Sequence, residues 1–352
     1  MDDTQPTPRL VLPPRLARAP ISLVVLSGLL AAMVAACVAC SFALALIGPE
    51  RVLALRDQLI GHTPEERSAA LGQIIGVIRG EEVWPVPDRG RLTILLMGID
   101  RRPDQNGAPV RSDAITLVTI DPQAKTAALL SIPRDLYVPL AGLNRVDRIN
   151  TAYFFGGVQA ARDTIAWNLS VPIQGHFVIN FAGFEQAIDA LGGIDIDVPE
   201  TIVDDAYPTD DYRTEKLVIP AGPTHMDGDL ALKYARTRHG DSDFGRMQRQ
   251  QQIMLAVRDK ALGLDILPKI PALLDALSGS YETDLTVAEM LSIARVWGDI
   301  PRERIAAYRI DETMATSWTT PTGGNVLIPR REAIAAVVQA FLAQNPPPLQ
   351  SH

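Results

Sequence analysis

A long apolar segment close to the N-terminus constrains this chain more than any other feature. Residues 21–47 are 27 consecutive positions without a charged side chain. About 20 apolar residues in an α-helix are enough to cross a bilayer. Arg9, Arg15 and Arg18 precede the segment, and a basic flank stays on the cytoplasmic side. We therefore predict a single transmembrane helix, with the chain extracytoplasmic after Gly48 and anchored to the cell membrane.

The same segment has two alternative interpretations. Val34-Ala35-Ala36-Cys37 resembles a lipoprotein cleavage site, in which Cys37 would carry the lipid. A cleaved signal peptide would have an apolar core of only about 7–15 residues. The ten residues after Cys37 are also apolar, so the pattern favours an uncleaved helix. A lipidated Cys37 would leave the folded part outside and tethered as well.

Composition and breaker residues divide the chain into six predicted parts. A Thr-Pro-Glu-Glu sequence from Thr63 is typical of a helix start, and the proline-rich stretch 84–88 ends that helix. We predict a disordered cytoplasmic tail (1–20), the transmembrane helix (21–47), a juxtamembrane helix and linker (48–90), a main domain (91–263), a mainly helical extension that completes it or is appended to it (264–345), and a disordered tail (346–352).

The main domain has the pattern of a layered α/β fold. Short continuous apolar runs at 92–100, 114–120 and 126–132 are typical of strands buried on both faces. Strands alternating with helices indicate layers around one sheet. Further strands are predicted at 174–180 and 194–198, and helices at 150–155, 158–168, 181–191, 227–238 and 243–262. The acidic stretch 204–215 is interpreted as a solvated loop, or alternatively as a lid.

Charge and cysteine content exclude several classes of function. The net charge is −8, which argues against nucleic-acid binding because a phosphate backbone requires a cationic face. The only cysteines, Cys37 and Cys40, lie in the apolar segment, so the folded part has no disulfide or cysteine–zinc site. There are 28 arginines but only 5 lysines. Arginine grips phosphate at two points, although a GC-rich genome would produce the same bias.

One group of charged residues lies at the predicted strand ends. Asp100 ends the first strand, Arg111 and Asp113 come just before the second, and Arg134 follows the third. Ligands of α/β sheets bind at the carboxyl ends of strands. Two aspartates there would suit Mg²⁺, and the arginines would neutralise phosphate. Alternatively, these are turn residues and solvated loop charges.

A second group lies on the two later helices. Arg236 and Arg238 end one predicted helix. At 100° per residue, Asp243, Arg246 and Gln250 fall within about 60° of one another on the next. This face would orient a phosphate and a nucleophile. A purely structural role is the alternative, with the first pair complementing a helix dipole and Asp243 capping its own helix.

The segments ILLMGIDRR, RSDAITLVTIDP, LLSIPRDLYV, RINTAYFFGG, FEQAIDALGGIDIDVP, MDGDLALKYARTR and DFGRMQRQQQ occur in this order. Together they resemble the LytR–CpsA–Psr family of bacterial wall-glycopolymer ligases, over residues 92–260. The resemblance implies a three-layer α/β/α domain with a central mixed sheet and an apolar pocket for a polyprenyl chain. It also implies Mg²⁺-dependent transfer of a phosphoglycan from a polyprenyl-pyrophosphate carrier to a peptidoglycan hydroxyl.

The resemblance assigns roles to individual residues. Asp100 and Asp113 would serve Mg²⁺ and catalysis, together with Arg134 and Asp243. Asp113 and Asp243 are both candidate bases. The pyrophosphate would be bound by Arg111, Arg134, Arg148, Arg236, Arg238, Arg246 and Gln250. The family usually has lysine where this chain has Arg148, which leaves that contact open.

Two other functions fit the same residues. With water admitted, the site would be a polyprenyl-pyrophosphate phosphatase. With a degraded site, the chain would only bind the lipid carrier or wall glycan. The Asp100–Asp113 pair and the full set of arginines favour the transferase. Its predicted partners are the lipid-linked glycan, peptidoglycan and the bilayer, and no nucleic acid is expected.

Overall fold

The computed structural model describes residues 83–101, 109–209, 213–237, 243–263 and 279–344, together with 69, 70, 72–74, 76, 77, 81 and 277. The predicted transmembrane segment, both predicted tails and Cys37 lie outside these residues. Among the described residues, no helix is both long and apolar enough to cross a membrane.

From residue 83 on, fourteen strands and six α-helices are seen in this described part, and residues 69, 70, 72–74, 76 and 77, in the predicted juxtamembrane helix, are also helical. The strands are β1 (Leu92–Ile99), β2 (Ser112–Asp121), β3 (Thr126–Ser131), β4 (Tyr137–Leu140), β5 (Arg145–Arg148), β6 (Gly175–Asn180), β7 (Ile194–Val198), β8 (Ile202–Pro208), β9 (Thr214–Ile219), β10 (Gly222–Met226), β11 (Tyr281–Thr283), β12 (Ile305–Arg309), β13 (Ala315–Thr319) and β14 (Asn325–Pro329). The helices are α1 (Thr151–Leu169), α2 (Phe181–Ala190), α3 (Gly228–Arg236), α4 (Asp243–Gly263), α5 (Val287–Asp299) and α6 (Arg331–Ala343).

A six-stranded sheet in the order β11-β6-β1-β2-β3-β12 forms the centre of the domain. Strand β1 is parallel to β6 and antiparallel to β2, and β3 is antiparallel to β2 and parallel to β12. This mixed sheet confirms the predicted α/β class. The carboxyl ends of β1, β3, β6 and β12 and the amino end of β2 therefore meet at one edge.

Helices cover both faces of this sheet. Leu95 and Met97 of β1 pack into a core with residues of α1 and α6. Leu96, between them in the sequence, packs on the other side with residues of α4 and α5. Successive side chains of a strand point to opposite faces, so a strand between two helix layers has apolar residues at nearly every position.

The C-terminal part contributes to the central sheet. Residues 264–345 were expected to be mainly helical, but β11 and β12 form the two edge strands of the sheet. The hairpin β13–β14 also lies in this part. Between β11 and β12 in the chain, Thr286 and Glu289 form a capping box at the start of α5. The capping box satisfies two backbone donors at the helix end.

Several elements of the main domain follow the sequence pattern. The two helical stretches predicted at 150–155 and 158–168 form α1, which has non-helical backbone angles at Gly156 and Gly157. Asn180 caps α2 by accepting a 2.8 Å hydrogen bond from the Gly183 amide. Asp227 caps α3 through the Leu230 amide at 2.9 Å. These caps fix two helices that border the site described below.

Candidate active site

An irregularity in the sheet places Asp113 at the edge where the strand ends meet. Gly98 of β1 pairs with Ala114, but the next residue, Ile99, pairs with Ser112. Asp113 is therefore the extra residue of a bulge. Bulges re-aim side chains and recur next to active sites. Here the bulge places Asp113 in the walls of two adjacent cavities.

Arg134 follows β3 at the same edge and hydrogen-bonds to the Asp113 carboxylate through Nη1. Its Nε lies 3.6 Å from Asp135, and Asp135 in turn lies 3.3 Å from Nε of Arg148. The Arg134 side chain is 18% exposed and that of Asp113 is 35% exposed. The pair is thus ordered but open to a ligand.

The first cavity, of about 440 Å³, is polar. It contains five of the predicted site residues: Asp100, Arg111, Asp113, Arg134 and Arg148. The remaining lining residues are Pro109, Val110, Asp135, Asn150 and Phe154.

Two residues of this polar cavity were not identified from the sequence. The Arg111 guanidinium lies 5.7 Å from the centre of the Phe154 ring, a cation–π arrangement. The Oδ1 atom of Asn150 is buried and has no hydrogen-bond partner within the described part of the chain. A buried acceptor without a partner is costly and marks a position where a ligand would supply a hydrogen bond. The only sequence signal for Asn150 is that it lies two residues after Arg148.

The second cavity, of about 630 Å³, is apolar and lies between the sheet and helices α2, α3 and α4. Asp113 and Arg134 belong to its wall as well, so the two cavities meet at this pair. Its other polar lining residues are Thr116, Asn180, Asp204, Arg236, Arg246 and Gln250. Its apolar lining includes Leu96, Met97, Phe177, Ile179, Phe181, Phe184, Leu232, Ile253 and Met254.

Arginines from α3 and α4 converge on the apolar cavity. Arg236 lies over the Phe181 ring at 4.5 Å and donates from Nη1 to the Tyr207 hydroxyl at 3.3 Å. Arg246 is only 4% exposed. Gln250, one turn further along α4, donates to the Ala235 carbonyl at 3.3 Å. The predicted stripe of Arg246 and Gln250 thus faces the cavity.

Residues that were not predicted as site residues fix the position of the helix end that carries Arg236. Arg249 donates from Nε to the Tyr234 carbonyl at 2.9 Å, and from Nη2 to the Thr237 carbonyl. The Thr237 hydroxyl donates to Asp204 at 2.7 Å. Because the Arg249 guanidinium binds the carbonyls of Tyr234 and Thr237, it fixes the C-terminal end of α3, where Arg236 is located.

Most described residues of the acidic stretch 204–215 form strands, so the prediction of a solvated loop is wrong for them. The stretch contributes to the hairpin β8–β9, and Asp204, Ala206 and Pro208 line the apolar cavity. Asp204 and Tyr207 are buried. Burial raises the pKa of the Tyr207 hydroxyl, although the nearby Arg236 opposes this shift. Tyr207 therefore stays neutral and able to accept the hydrogen bond from Arg236.

A further tyrosine lies beside the end of β1. The Tyr153 hydroxyl is 3.1 Å from Glu282 and is also close to Arg101. Burial, followed by the charge of Glu282, raises the pKa of Tyr153 to about 12. Tyr153 is therefore a permanent hydrogen-bond donor near neutral pH. It is not a proton-transfer group.

The side chains of two predicted site residues lie outside the described part of the chain. Arg238 lies outside the described residues. Asp243 begins α4 as predicted, but its side chain is not described.

The predicted magnesium ligands lie on one cavity, since Asp100 and Asp113 both border the polar cavity. In phosphate sites Mg²⁺ is held by one or two carboxylates together with water and substrate oxygens. The pair fits such an ion. Among the described residues, no group of three or more His, Cys, Asp or Glu side chains forms a metal site by itself. A magnesium ion here would complete its coordination with water or with phosphate oxygens.

An apolar cavity that ends at arginines and carboxylates has the chemistry to accommodate an amphiphile with an anionic head group. The chain belongs to the LytR–CpsA–Psr family, whose model matches residues 66–340. The family prediction is thereby confirmed.

Two similar proteins are named as transferases. TagU of Halalkalibacterium halodurans is 38% identical over 245 residues, covering 68% of this chain and 75% of that protein. TagV of Bacillus subtilis is 35% identical over 222 residues, covering 62% of this chain but only 56% of that protein. Both are named polyisoprenyl-teichoic acid–peptidoglycan teichoic acid transferases. The predicted class of enzyme, a transferase, is that of these relatives.

Solved structures have the same fold. The crystal structure of B. subtilis TagV is 31% identical with a TM-score of 0.60, covering 74% of this chain and 100% of that chain. TagT bound to LI-WTA is 26% identical with a TM-score of 0.60, covering 76% and 95%.

Proposed function

We propose that this chain transfers a phosphoglycan from a polyprenyl-pyrophosphate carrier to a hydroxyl group of peptidoglycan, at the extracytoplasmic face of the cell membrane. The observation that carries the proposal is the junction of the two cavities at Asp113 and Arg134. One cavity offers an apolar wall for a lipid, and the other offers polar groups for a hydroxyl-bearing acceptor.

The donor would lie with its polyprenyl chain in the apolar cavity and its pyrophosphate at the junction. Arg134, Arg236 and Arg246 line that cavity, and arginine binds phosphate oxygens at two points. Arg246 is buried, so its charge acts through a medium of low dielectric constant, where a phosphate oxygen is attracted strongly. The donor is thereby held with its phosphorus facing the polar cavity.

In the transfer step, an acceptor hydroxyl oxygen forms a bond to the glycan-bearing phosphorus. The bridging P–O bond to the second phosphate breaks, and its electron pair leaves with polyprenyl phosphate. The arginines stabilise the charge that develops on that leaving group. Asp113 borders both cavities and is the carboxylate that we assign to the hydroxyl proton, with Asp243 as the other candidate.

Mg²⁺, held by Asp100 and Asp113, would supply charge neutralisation at the pyrophosphate oxygens. Membrane anchoring by residues 21–47 would keep the enzyme close to a carrier that is itself a membrane lipid. The paired carboxylates on one cavity support the proposed magnesium ion. The uncharged segment supports the proposed membrane anchor.

The decisive experiment incubates the full-length chain with Mg²⁺ and a polyprenyl-pyrophosphate-linked oligosaccharide, with and without peptidoglycan, and identifies the products by mass. We expect sugar phosphate joined to the acceptor, abolished in Asp113→Ala. Free phosphate products without an acceptor product would instead indicate a phosphatase. Lipid binding without turnover would indicate a binding protein, and either result would overturn the transferase.

A further inference from the structure

The surface beside the polar cavity carries all the exposed aromatic side chains among the described residues. Eight large hydrophobic side chains are exposed in that part of the chain, and the aromatic ones are Phe155, Trp167 and Trp318. They come from α1 and β13, yet all three lie around the hairpin β4–β5. Exposed apolar groups that cluster in this way mark a binding surface more often than scattered ones do.

One face of the hairpin lies between Trp318 and Trp167. Tyr137 pairs with Arg148, and Pro139 pairs with Val146, so these four side chains share one face. The opposite face carries the buried Val138 and Leu140. Tyr137 and Pro139 lie about 7 Å apart along the strand, which makes the face a short, straight strip.

Aromatic rings occupy both ends of this strip. The Trp318 ring lies 6.0 Å from the Tyr137 ring. At the other end, Trp167 lines a groove of about 720 Å³ with Pro139 and Val146, and Trp167 is 61% exposed. We name Trp318, Tyr137, Val146 and Trp167 the aromatic strip.

The strip begins at the candidate active site. Arg148, the pairing partner of Tyr137, lines the polar cavity. Its Nε atom donates to the Asn325 carbonyl at 3.1 Å, which ties the β13–β14 hairpin to the cavity rim. An extended molecule lying on the strip would therefore enter the polar cavity at the Arg148 end.

The chemistry of the strip fits a polysaccharide. A pyranose ring has an apolar face of C–H groups that packs on an aromatic ring, while its hydroxyls at the edge form hydrogen bonds. Hydrogen-bonding groups lie beside the rings: Asn144 and Arg145 line the groove at one end, and Arg148 lies next to Tyr137 at the other. A lipid chain would not need these groups, and the apolar cavity is already suited to it.

We infer that the aromatic strip is the binding surface for the glycan strand of the acceptor. The strip would present either the end of the strand or a hydroxyl along its side to the polar cavity. This inference rests on the proposed function for the identity of the acceptor. The surface itself is assigned from its own residues, so its binding can be tested without any transfer reaction.

The test measures co-sedimentation of the full-length chain with purified sacculi stripped of attached glycopolymer. The Trp167→Ala/Trp318→Ala double variant is expected to need about tenfold more sacculi for half-maximal binding, as for loss of a central aromatic contact. Tyrosine at both positions should restore most of the binding. Leu262→Ala is the matched control, because Leu262 is 51% exposed and lies on α4, across the sheet.

Transfer kinetics provide the second readout. The double variant should have a raised KM for polymeric peptidoglycan, with an unchanged KM for the lipid-linked donor and an unchanged melting temperature. Unaltered sacculus binding would overturn the inference and leave the transferase intact. If the double variant instead lost binding to phosphatidylglycerol vesicles and kept sacculus binding, the strip would be a membrane contact and the inference would also fail. If the double variant lost sacculus binding but the unmodified chain catalysed no transfer, the strip would still be a glycan-binding surface. The proposed function would then be refuted.

Discussion

At the residue scale, one ion pair links the two halves of the candidate site. Asp113 lies in β2 and Arg134 follows β3, and each residue borders both cavities. Each side chain is only partly exposed, so the charges act on a ligand with less screening than surface charges would. A pyrophosphate at this position would accept hydrogen bonds from the Arg134 guanidinium.

Arg134→Ala should reduce the transfer rate by about 10²-fold or more, by analogy with the loss of one oxyanion donor. Arg134→Lys should recover only part of the rate, because lysine keeps the charge but not the two-point fork. The measurement is turnover with the lipid-linked donor at saturating acceptor.

Arg302→Ala is a suitable control for this prediction. Arg302 is half-exposed and pairs with Asp259 at 2.6 Å, away from both cavities. Its removal should leave turnover unchanged. A rate for Arg134→Ala within about twofold of the unmodified chain would contradict the role assigned to Arg134, since the estimate is at least 10²-fold.

At the element scale, the hairpin β8–β9 forms a wall of the apolar cavity and is fastened at its base. The Thr237 hydroxyl donates to the buried Asp204 at 2.7 Å, and Arg249 binds the Thr237 carbonyl. The hairpin, the end of α3 and the middle of α4 are thus joined by one hydrogen-bonded group. The acidic sequence of β8–β9 is compatible with strands because most of the side chains in this hairpin are exposed.

The neighbouring residues Asp204 and Asp205 offer a matched pair of variants. Asp204→Ala leaves the buried Thr237 hydroxyl without this acceptor and should cost about 1–3 kcal/mol of stability. Asp205 is exposed and pairs with Lys216 at 2.8 Å, so Asp205→Ala should cost less than about 1 kcal/mol. Thermal unfolding of the full-length chain measures both. Equal melting temperatures would show that the buried bond does not fasten the hairpin.

At the scale of the whole domain, the sheet separates two environments that the reaction needs. Helices α2, α3 and α4 enclose the apolar cavity against one face, whereas the polar cavity opens at the edge next to β4–β5. Under the proposed function, a lipid and a hydroxyl-bearing acceptor would approach the junction by different routes.

Ala206→Trp tests the lipid route. Ala206 lines the apolar cavity and is exposed on β8, so a larger side chain should occupy the cavity without disturbing the core. We expect a raised KM for a donor with a long polyprenyl chain and a smaller effect on a short-chain analogue. The control is Ala124→Trp in the exposed turn after β2. Equal KM values for both donors would place the lipid elsewhere.

Local patterns in the sequence determined much of this protein. Continuous apolar runs predicted β1, β2 and β3, because a strand buried on both faces has no polar face. Helical periodicity placed Arg246 and Gln250 on one stripe. The family motifs marked Asp100, Asp113 and Arg134 as candidate site residues. Each of these inferences uses neighbours within a few residues, which is the range over which helix and strand geometry act.

Tertiary structure alone decided which segments meet. The hairpins β4–β5 and β8–β9 and the strands β11 and β12 were missed, because a short or charged strand is stable only through its pairing partners. Trp318 and Tyr137 lie far apart in the chain, and no local pattern relates them. The two cavities are also spaces between distant elements, and an apolar residue that lines a cavity has the same sequence pattern as one that fills the core.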